Sequence, residues 1–229
     1  MVKKNRSIHQ KKSLSQVFLK DSWPCDRVAS ELKDWDITDV LEIGPGKGIL
    51  TKALLQKDLH VTAVEKDPRF FDYLSTEDDI TRNHLVEGNL ELINEDILQF
   101  DIARWVSEKK TGRLAVCGNI PYHISSAIIQ YLFSSLPQLK VIYLMVQAEF
   151  AERLASPPSS KSYGSLSVYT QLRSEAKIEF SVPKTEFFPV PKVDSSFITL
   201  KPLSSSIEPS ILKGLRNLRG LLFLKEEKN

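Results

Sequence analysis

Short apolar runs of strand length alternate along the chain with stretches whose apolar residues recur every three or four positions. Residues 39–43, 60–67, 90–97, 113–120, 140–147, 175–182 and 193–200 read as seven strands, rich in Val, Ile and Leu. A helix capped at Asp21 or Ser22, with Pro24 in its first turn, puts Val28, Leu32 and Trp35 on one face. Further helices are predicted from the glycine-rich turn at 44–48 to about Lys57, from Pro68 onward, from Ser125 to about Leu132, from Ala148 to Leu154 and from Ser165 to about Leu172. The polar stretch 76–89 reads as an irregular connection, and SPPSSKS at 156–162 as a flexible loop. Strands alternating with helices predict an α/β fold, a mainly parallel seven-stranded sheet with helices on both faces.

At 229 residues, 41% hydrophobic and 26% charged, the chain has the make-up of one globular domain with room for a small appendage. No apolar run approaches the length of a membrane span, and the basic N-terminus is not followed by an apolar signal region, so a cytoplasmic, membrane-free protein is expected. Cys25 and Cys117 lie far apart, and His9, His60, His84 and His123 show no metal-ligand spacing, so no metal is expected. The net charge of +2 hides an asymmetry. Lys3, Lys4, Arg6, Lys11, Lys12 and Lys20 stand in residues 1–20 without an acid, which leaves −4 for the remainder. Such an arm can bind phosphates or serve as a solubilising tail. Residues 12–19, KSLSQVFL, add an apolar patch too short for a domain, expected to fold over another part of the molecule.

Candidate chemistry centres on Val40 to Thr51, VLEIGPGKGILT. A buried strand turns into a helix through Gly44, Gly46 and Gly48, and the exposed N–H groups of such a turn suit the polar part of a nucleotide-like ligand. The dinucleotide pattern fails because Ile49 stands where its third glycine belongs, and the phosphate-loop pattern fails because Gly48 follows Lys47. The remaining pattern, Glu42-x-Gly44-x-Gly46-x-Gly48, resembles the first motif of the S-adenosylmethionine-dependent methyltransferases, in which the acid lies near the cofactor's ammonium group. Glu65 ends the next strand 21 positions after Gly44, close to the separation at which nucleotide folds set a carboxylate on ribose hydroxyls. By position, Asp96 resembles the acid that holds the cofactor's adenine amino group in those enzymes.

Asn119-Ile120-Pro121-Tyr122 ends the fourth strand and resembles the Asn-(Leu/Ile)-Pro-Tyr motif of enzymes that methylate the exocyclic amine of adenine. That nitrogen is a poor nucleophile because its lone pair is delocalised into the ring. Acceptance of its two N–H groups by the Asn119 side-chain oxygen and the Pro121 carbonyl lets it become more tetrahedral, while Tyr122 stacks on the base. The sulfonium is a good leaving group, so positioning supplies much of the rate. Prolines hold Phe187-Phe188-Pro189-Val190-Pro191 extended, a wall for a flipped base, with Phe187 at the position of the stacking aromatic and Phe188 beside it.

Over about residues 8–202 the chain resembles the ribosomal RNA adenine N6-dimethyltransferases, most of all the small-subunit, kasugamycin-sensitivity type, through KKSLSQVFL, QAEFAERL, YGSLSV and FFPVPKVDSSF. The resemblance implies a Rossmann-like class I methyltransferase domain at 21–202 after the basic arm 1–20, and a short helical piece at 203–229. It implies S-adenosylmethionine as donor and S-adenosylhomocysteine as product, with cofactor contacts at Leu19, Gly44, Gly46, Glu65, Asp96 and Asn119. Catalytic roles fall to Asn119, Pro121, Tyr122 and Phe187. The implied substrate is a pair of adjacent adenosines in the 3′-terminal hairpin of small-subunit rRNA, modified in an immature small ribosomal subunit; a monomer is the default expectation, since the sequence carries no sign of oligomeric state. Alternatives are the large-subunit enzymes of macrolide resistance, a non-catalytic rRNA-binding assembly factor, and a promoter-binding transcription-factor relative that no motif here favours. Two departures from the family stand out. Val17 occupies the place of an Asn, so a side-chain cofactor contact is lost, and after Leu203 about one helix, Pro209 to Leu222, stands where relatives carry a basic helical lobe.

Overall fold

The computed structural model describes residues 17–109 and 112–203. Most of the basic arm and the C-terminal piece 204–229 lie outside these residues.

Seven strands form one sheet: β2 (Asp39–Ile43), β3 (His60–Val64), β4 (Leu90–Ile93), β5 (Leu114–Asn119), β6 (Val141–Gln147), β7 (Ser174–Val182) and β9 (Ser195–Pro202), in the order β4-β3-β2-β5-β6-β9-β7. The first five in that order pair in parallel, whereas β9 is antiparallel to both β6 and β7. Thus β9, the last strand among the described residues, enters the sheet between two earlier ones, and β7 forms the edge. A separate two-stranded piece joins β1 (Phe18–Leu19) to β8 (Phe187–Phe188), so the apolar end of the N-terminal segment does fold over the rest of the chain.

Side-chain alternation along the strands produces two cores. Leu41 and Ile43 face one side, where α5 (Ile102–Glu108), α6 (Ser125–Leu132), α7 (Ala148–Ala155) and α8 (Ser165–Gln171) cover the sheet with Trp105, Ile128, Leu132, Leu154 and Tyr169. Val40, Val61, Ala115 and Cys117 face the other, under α1 (Trp23–Asp34) and α2 (Ile49–Leu55). Leu41 is fully buried in the central strand. Leu41→Ala is expected to cost about 2–5 kcal/mol, read as a lower urea midpoint; an unchanged midpoint would contradict this packing.

Residues 76–89 contain more order than their polarity suggests. A π-helical turn (Tyr73–Glu77) leads into α4 (Asp79–Glu87), capped where the Asp78 carboxylate accepts the Thr81 N–H at 3.1 Å and closed by Gly88 at φ +79°. Of its residues only Thr81 is buried, so apolar periodicity gives no sign of it. The strand expected over 90–97 stops at Ile93, where Asn94 and Glu95 turn to hydrogen-bond the Glu65 carbonyl at 2.7 and 3.1 Å. Helix α5, short and flanked by polar residues, also escapes the periodicity.

Candidate active site

From β2 the chain runs outward through β3 to β4, and from β5 to β6 in the other direction, so strand order reverses between β2 and β5. In open α/β sheets ligands bind beyond the carboxyl ends of the strands at such a point. Here a cavity opens at that place, lined by the turn after β2, Glu65 after β3, Asn119 to Tyr122 after β5, and Val17 to Leu19 of the N-terminal segment.

The turn is built by backbone geometry that few side chains tolerate. Gly44, Gly46 and Gly48 all have positive φ, and a Cβ at Gly46 would lie 3.1 Å from the Phe18 ring. Gly44 N–H donates to the Val64 carbonyl at 2.9 Å. Glu65, 6% exposed, ties turn and strand together: one carboxylate oxygen accepts the Gly46 N–H at 3.0 Å and the other the Asp67 N–H at 2.8 Å. Burial pushes its pKa up, opposed by those two bonds. The Phe18 ring, itself packed on Phe70, lies 4.9 Å from the Lys47 ammonium, and Lys20 holds the segment down through its N–H to the Glu186 carbonyl and its ammonium to the Thr185 carbonyl.

Glu42 lines the floor. It is fully buried, its Oε2 meets no donor, and burial pushes its pKa up to about 8, with the nearby Glu65 adding to the rise and Thr51 opposing it. The ordinary value is 4.5, so the folded protein keeps a proton that the unfolded chain releases. This contribution to stability is complete below about pH 4.5 and is lost as pH rises through about 8. The melting temperature is therefore expected to fall across that window, and Glu42→Gln to flatten the fall; parallel profiles for the two proteins would contradict the assignment. Cys25 also lines the cavity, but burial beside Glu42 pushes its thiol far up and keeps it protonated.

Asn119 ends β5, and its Nδ2 lies 3.5 Å from the Val17 carbonyl, so the amide nitrogen faces the N-terminal segment. The Pro121 carbonyl, expected to accept from a substrate amine, is already met by the Ile124 N–H at 3.2 Å and the Ser125 hydroxyl at 3.1 Å. Among the described residues no donor meets the Ile120 carbonyl, and Ile120 lines the cavity. Of the two carbonyls, that of Pro121 is thus the occupied one, because the short helical turn after Pro121 uses the carbonyl at its start. Tyr122 also lines the cavity, with its hydroxyl 2.6 Å from that of Ser195.

Two expected contacts differ. Phe187 is fully buried and does not line the cavity: opposite Leu19 in the β1–β8 pair, its ring enters the core with Leu19, Cys25, Val182 and Phe197. Strand alternation turns Phe188, 65% exposed, the other way. Asp96 stands next to the end of β3 but outside the lining. Its carboxylate pairs with the Lys66 ammonium at 2.6 Å, which holds it below the usual carboxylate range. Leu19, Gly44, Gly46, Glu65, Asn119, Pro121 and Tyr122 do come together around one cavity. Phe18, Phe70, Ile120 and Met145 line it too without having been singled out. Ile120 was within reach as part of its motif; Phe70 and Met145 carry no local signal.

A cationic nucleoside suits this lining. The unpartnered, buried carboxyl oxygen of Glu42 matches an N–H donor, and a cation bound beside it would favour release of the proton it otherwise keeps; the Gly46 backbone offers a close approach, and Phe70, Leu50 and Met145 match an apolar sulfur substituent. Comparison with known proteins agrees. The chain is 40% identical over 192 residues to ribosomal RNA small subunit methyltransferase A of Bacillus licheniformis, a match that covers 83% of this chain and 64% of the relative. It is 31% identical to a dimethyladenosine transferase of Plasmodium falciparum, with a TM-score of 0.69 over 90% of this chain and 69% of that one. It is 29% identical to the 23S rRNA methyltransferase ErmE, with a TM-score of 0.70 over 93% of this chain and 81% of that one. The fold is thus that of the class I S-adenosylmethionine-dependent methyltransferases. The family model described as ribosomal RNA adenine dimethylase matches residues 8–229, and the chain belongs to that family.

Proposed function

We propose that this chain transfers methyl groups from S-adenosylmethionine to the N6 amines of two adjacent adenosines in the 3′-terminal hairpin of small-subunit rRNA. The substrate is an immature small ribosomal subunit in the cytoplasm, and the chain acts as a monomer. One observation carries the reading: the Asn119 amide and the free Ile120 carbonyl border the same cavity as Glu42, Glu65 and the glycine turn.

The donor supplies an electrophilic methyl group on a positively charged sulfur. Gly44 and Gly46 would offer backbone to it, Glu65 would accept from its ribose hydroxyls, and Glu42 would face its cationic end. Asp96 reaches a ligand from beside this cavity only after loosening its hold on Lys66. The Asn119 oxygen and the Ile120 carbonyl accept the two N–H bonds of the target amine, and the nitrogen lone pair then points into the cavity. Tyr122 and Phe188 flank the base. After transfer the amine proton leaves to solvent, and no side chain here needs to act as a base before attack. The basic side chains of the arm 1–20 supply phosphate contacts, weakened by salt.

Gly46→Ala is expected to weaken S-adenosylmethionine binding about tenfold in calorimetry, because a left-handed alanine is strained and its methyl group presses on Phe18. Unaltered affinity would place the donor elsewhere. The function itself is tested by incubating the chain with labelled donor in parallel reactions, one with small subunits from a strain lacking the modification and one with unmodified large-subunit rRNA. Dimethyladenosine at neighbouring positions near the 3′ end is the expected product. Label confined to large-subunit rRNA would favour the macrolide-resistance activity, and no transfer at all would favour an assembly factor.

A further inference from the structure

The run Pro191-Lys192-Val193-Asp194-Ser195 has so far been given no part in the chemistry, yet it ends against Tyr122. Ser195 is fully buried and opens β9, where it pairs with Gln147 of β6 on one side and Val182 of β7 on the other. Its hydroxyl therefore projects from a fixed point of the sheet. Asp194 reinforces the anchor: its carbonyl accepts the Ala148 N–H at 3.0 Å, and its carboxylate accepts the Lys184 N–H at 2.8 Å. From this anchor the Ser195 hydroxyl reaches the Tyr122 phenol at 2.6 Å.

A tyrosine ring attached only at its backbone can swing about two side-chain torsions. The backbone beneath this one is already held, since Ser125 and Ile124 both bond the Pro121 carbonyl. A hydrogen bond at the far end of the ring removes the remaining freedom. We propose that Ser195 is a positioning residue for methyl transfer: by holding the Tyr122 hydroxyl it fixes the plane against which the target base lies, and so aims the amine at the methyl group. The inference rests on the proposed function. Its consequence belongs to the aligned complex, so it is expected in kcat rather than in donor binding.

The test measures methyl transfer to unmethylated small subunits with the full chain and its Ser195→Ala, Tyr122→Phe and double variants. Ser195→Ala is expected to lower kcat about tenfold with donor affinity unchanged, as loss of one aligned hydrogen bond implies. Tyr122→Phe should fall as far, the double variant no further, and Ser195→Thr should retain most of the rate. In protein labelled with fluorotyrosine, the fluorine resonance of Tyr122 should move in Ser195→Ala while those of the other tyrosines stay. Full activity of Ser195→Ala, a penalty that multiplies in the double variant, or an unmoved Tyr122 resonance would each overturn the role. If the alanine variant fails to fold, Tyr122→Phe probes the same bond from its other end, and an unimpaired rate there also overturns it. A parent chain that transfers nothing to adenosine overturns the proposed function and this role together, whereas an active parent with an equally active Ser195→Ala overturns this role alone.

Discussion

Asn119→Ala is expected to lower methyl transfer by about a hundred- to a thousandfold, the usual loss when one preorganised polar group at a reacting centre is removed. Affinity for S-adenosylmethionine should change only a few-fold. The reasoning starts from the target nitrogen, which becomes nucleophilic only when acceptors draw its two N–H bonds out of the ring plane. The Ile120 carbonyl remains in the variant, but one acceptor cannot hold two N–H bonds. Asn119 is also oriented before substrate arrives, because its amide nitrogen points at the Val17 carbonyl and leaves the oxygen for the amine. Asn119→Asp keeps an acceptor but places a negative charge against that carbonyl, so it should rescue little. Single-turnover transfer together with calorimetric donor binding separates these effects; a proportional loss of binding and rate would make Asn119 a donor-binding residue instead.

Glu65→Ala should act at the other end of the cavity, weakening donor binding by about a hundredfold. Two losses combine. The carboxylate that would accept from the ribose disappears, and the Gly46 and Asp67 N–H groups lose their acceptor, so the glycine turn is no longer tied to the end of β3. Hydrogen bonds to a charged group contribute about 1.5–3 kcal/mol each, so the loss of one or two accounts for this magnitude. Glu65→Gln keeps one acceptor oxygen and should lie between. Calorimetry gives the affinities and thermal melting shows whether the fold persists. Donor binding at the parent level in Glu65→Ala, with an intact melt, would contradict this placement.

Much of the sheet was readable because buried strands leave an apolar, β-branched signature, and the glycine turn because positive φ demands glycine. Other features leave no such mark. Helix α4 buries only Thr81 fully and sets just Leu85 partly against the core, so it lacks an apolar stripe. The insertion of β9 between β6 and β7 is a matter of topology, which periodicity does not encode. Whether Phe187 or Phe188 faces outward depends on the pairing of β8 with β1, a contact across most of the chain. The Ile120 carbonyl leaves no mark because a backbone acceptor has no letter of its own: only the helical turn that occupies the Pro121 oxygen tells the two carbonyls apart. Asp96 follows β4 in sequence, but its bond to Lys66 depends on side chains from two strand ends meeting in space. At Val17 it is the backbone carbonyl, invisible in the residue's letter, that lies 3.5 Å from the Asn119 amide nitrogen.

On the proposed function, Asn119 and its cavity methylate adenosine in small-subunit rRNA. The most direct measurement expresses the chain in a bacterial strain lacking that modification and reads the 3′-terminal hairpin by primer extension, which stops at dimethyladenosine. Paired stops at adjacent adenosines with the parent chain, absent with an equally abundant Asn119→Ala, are the predicted result. No stops with the parent, or stops that persist in Asn119→Ala, would contradict it.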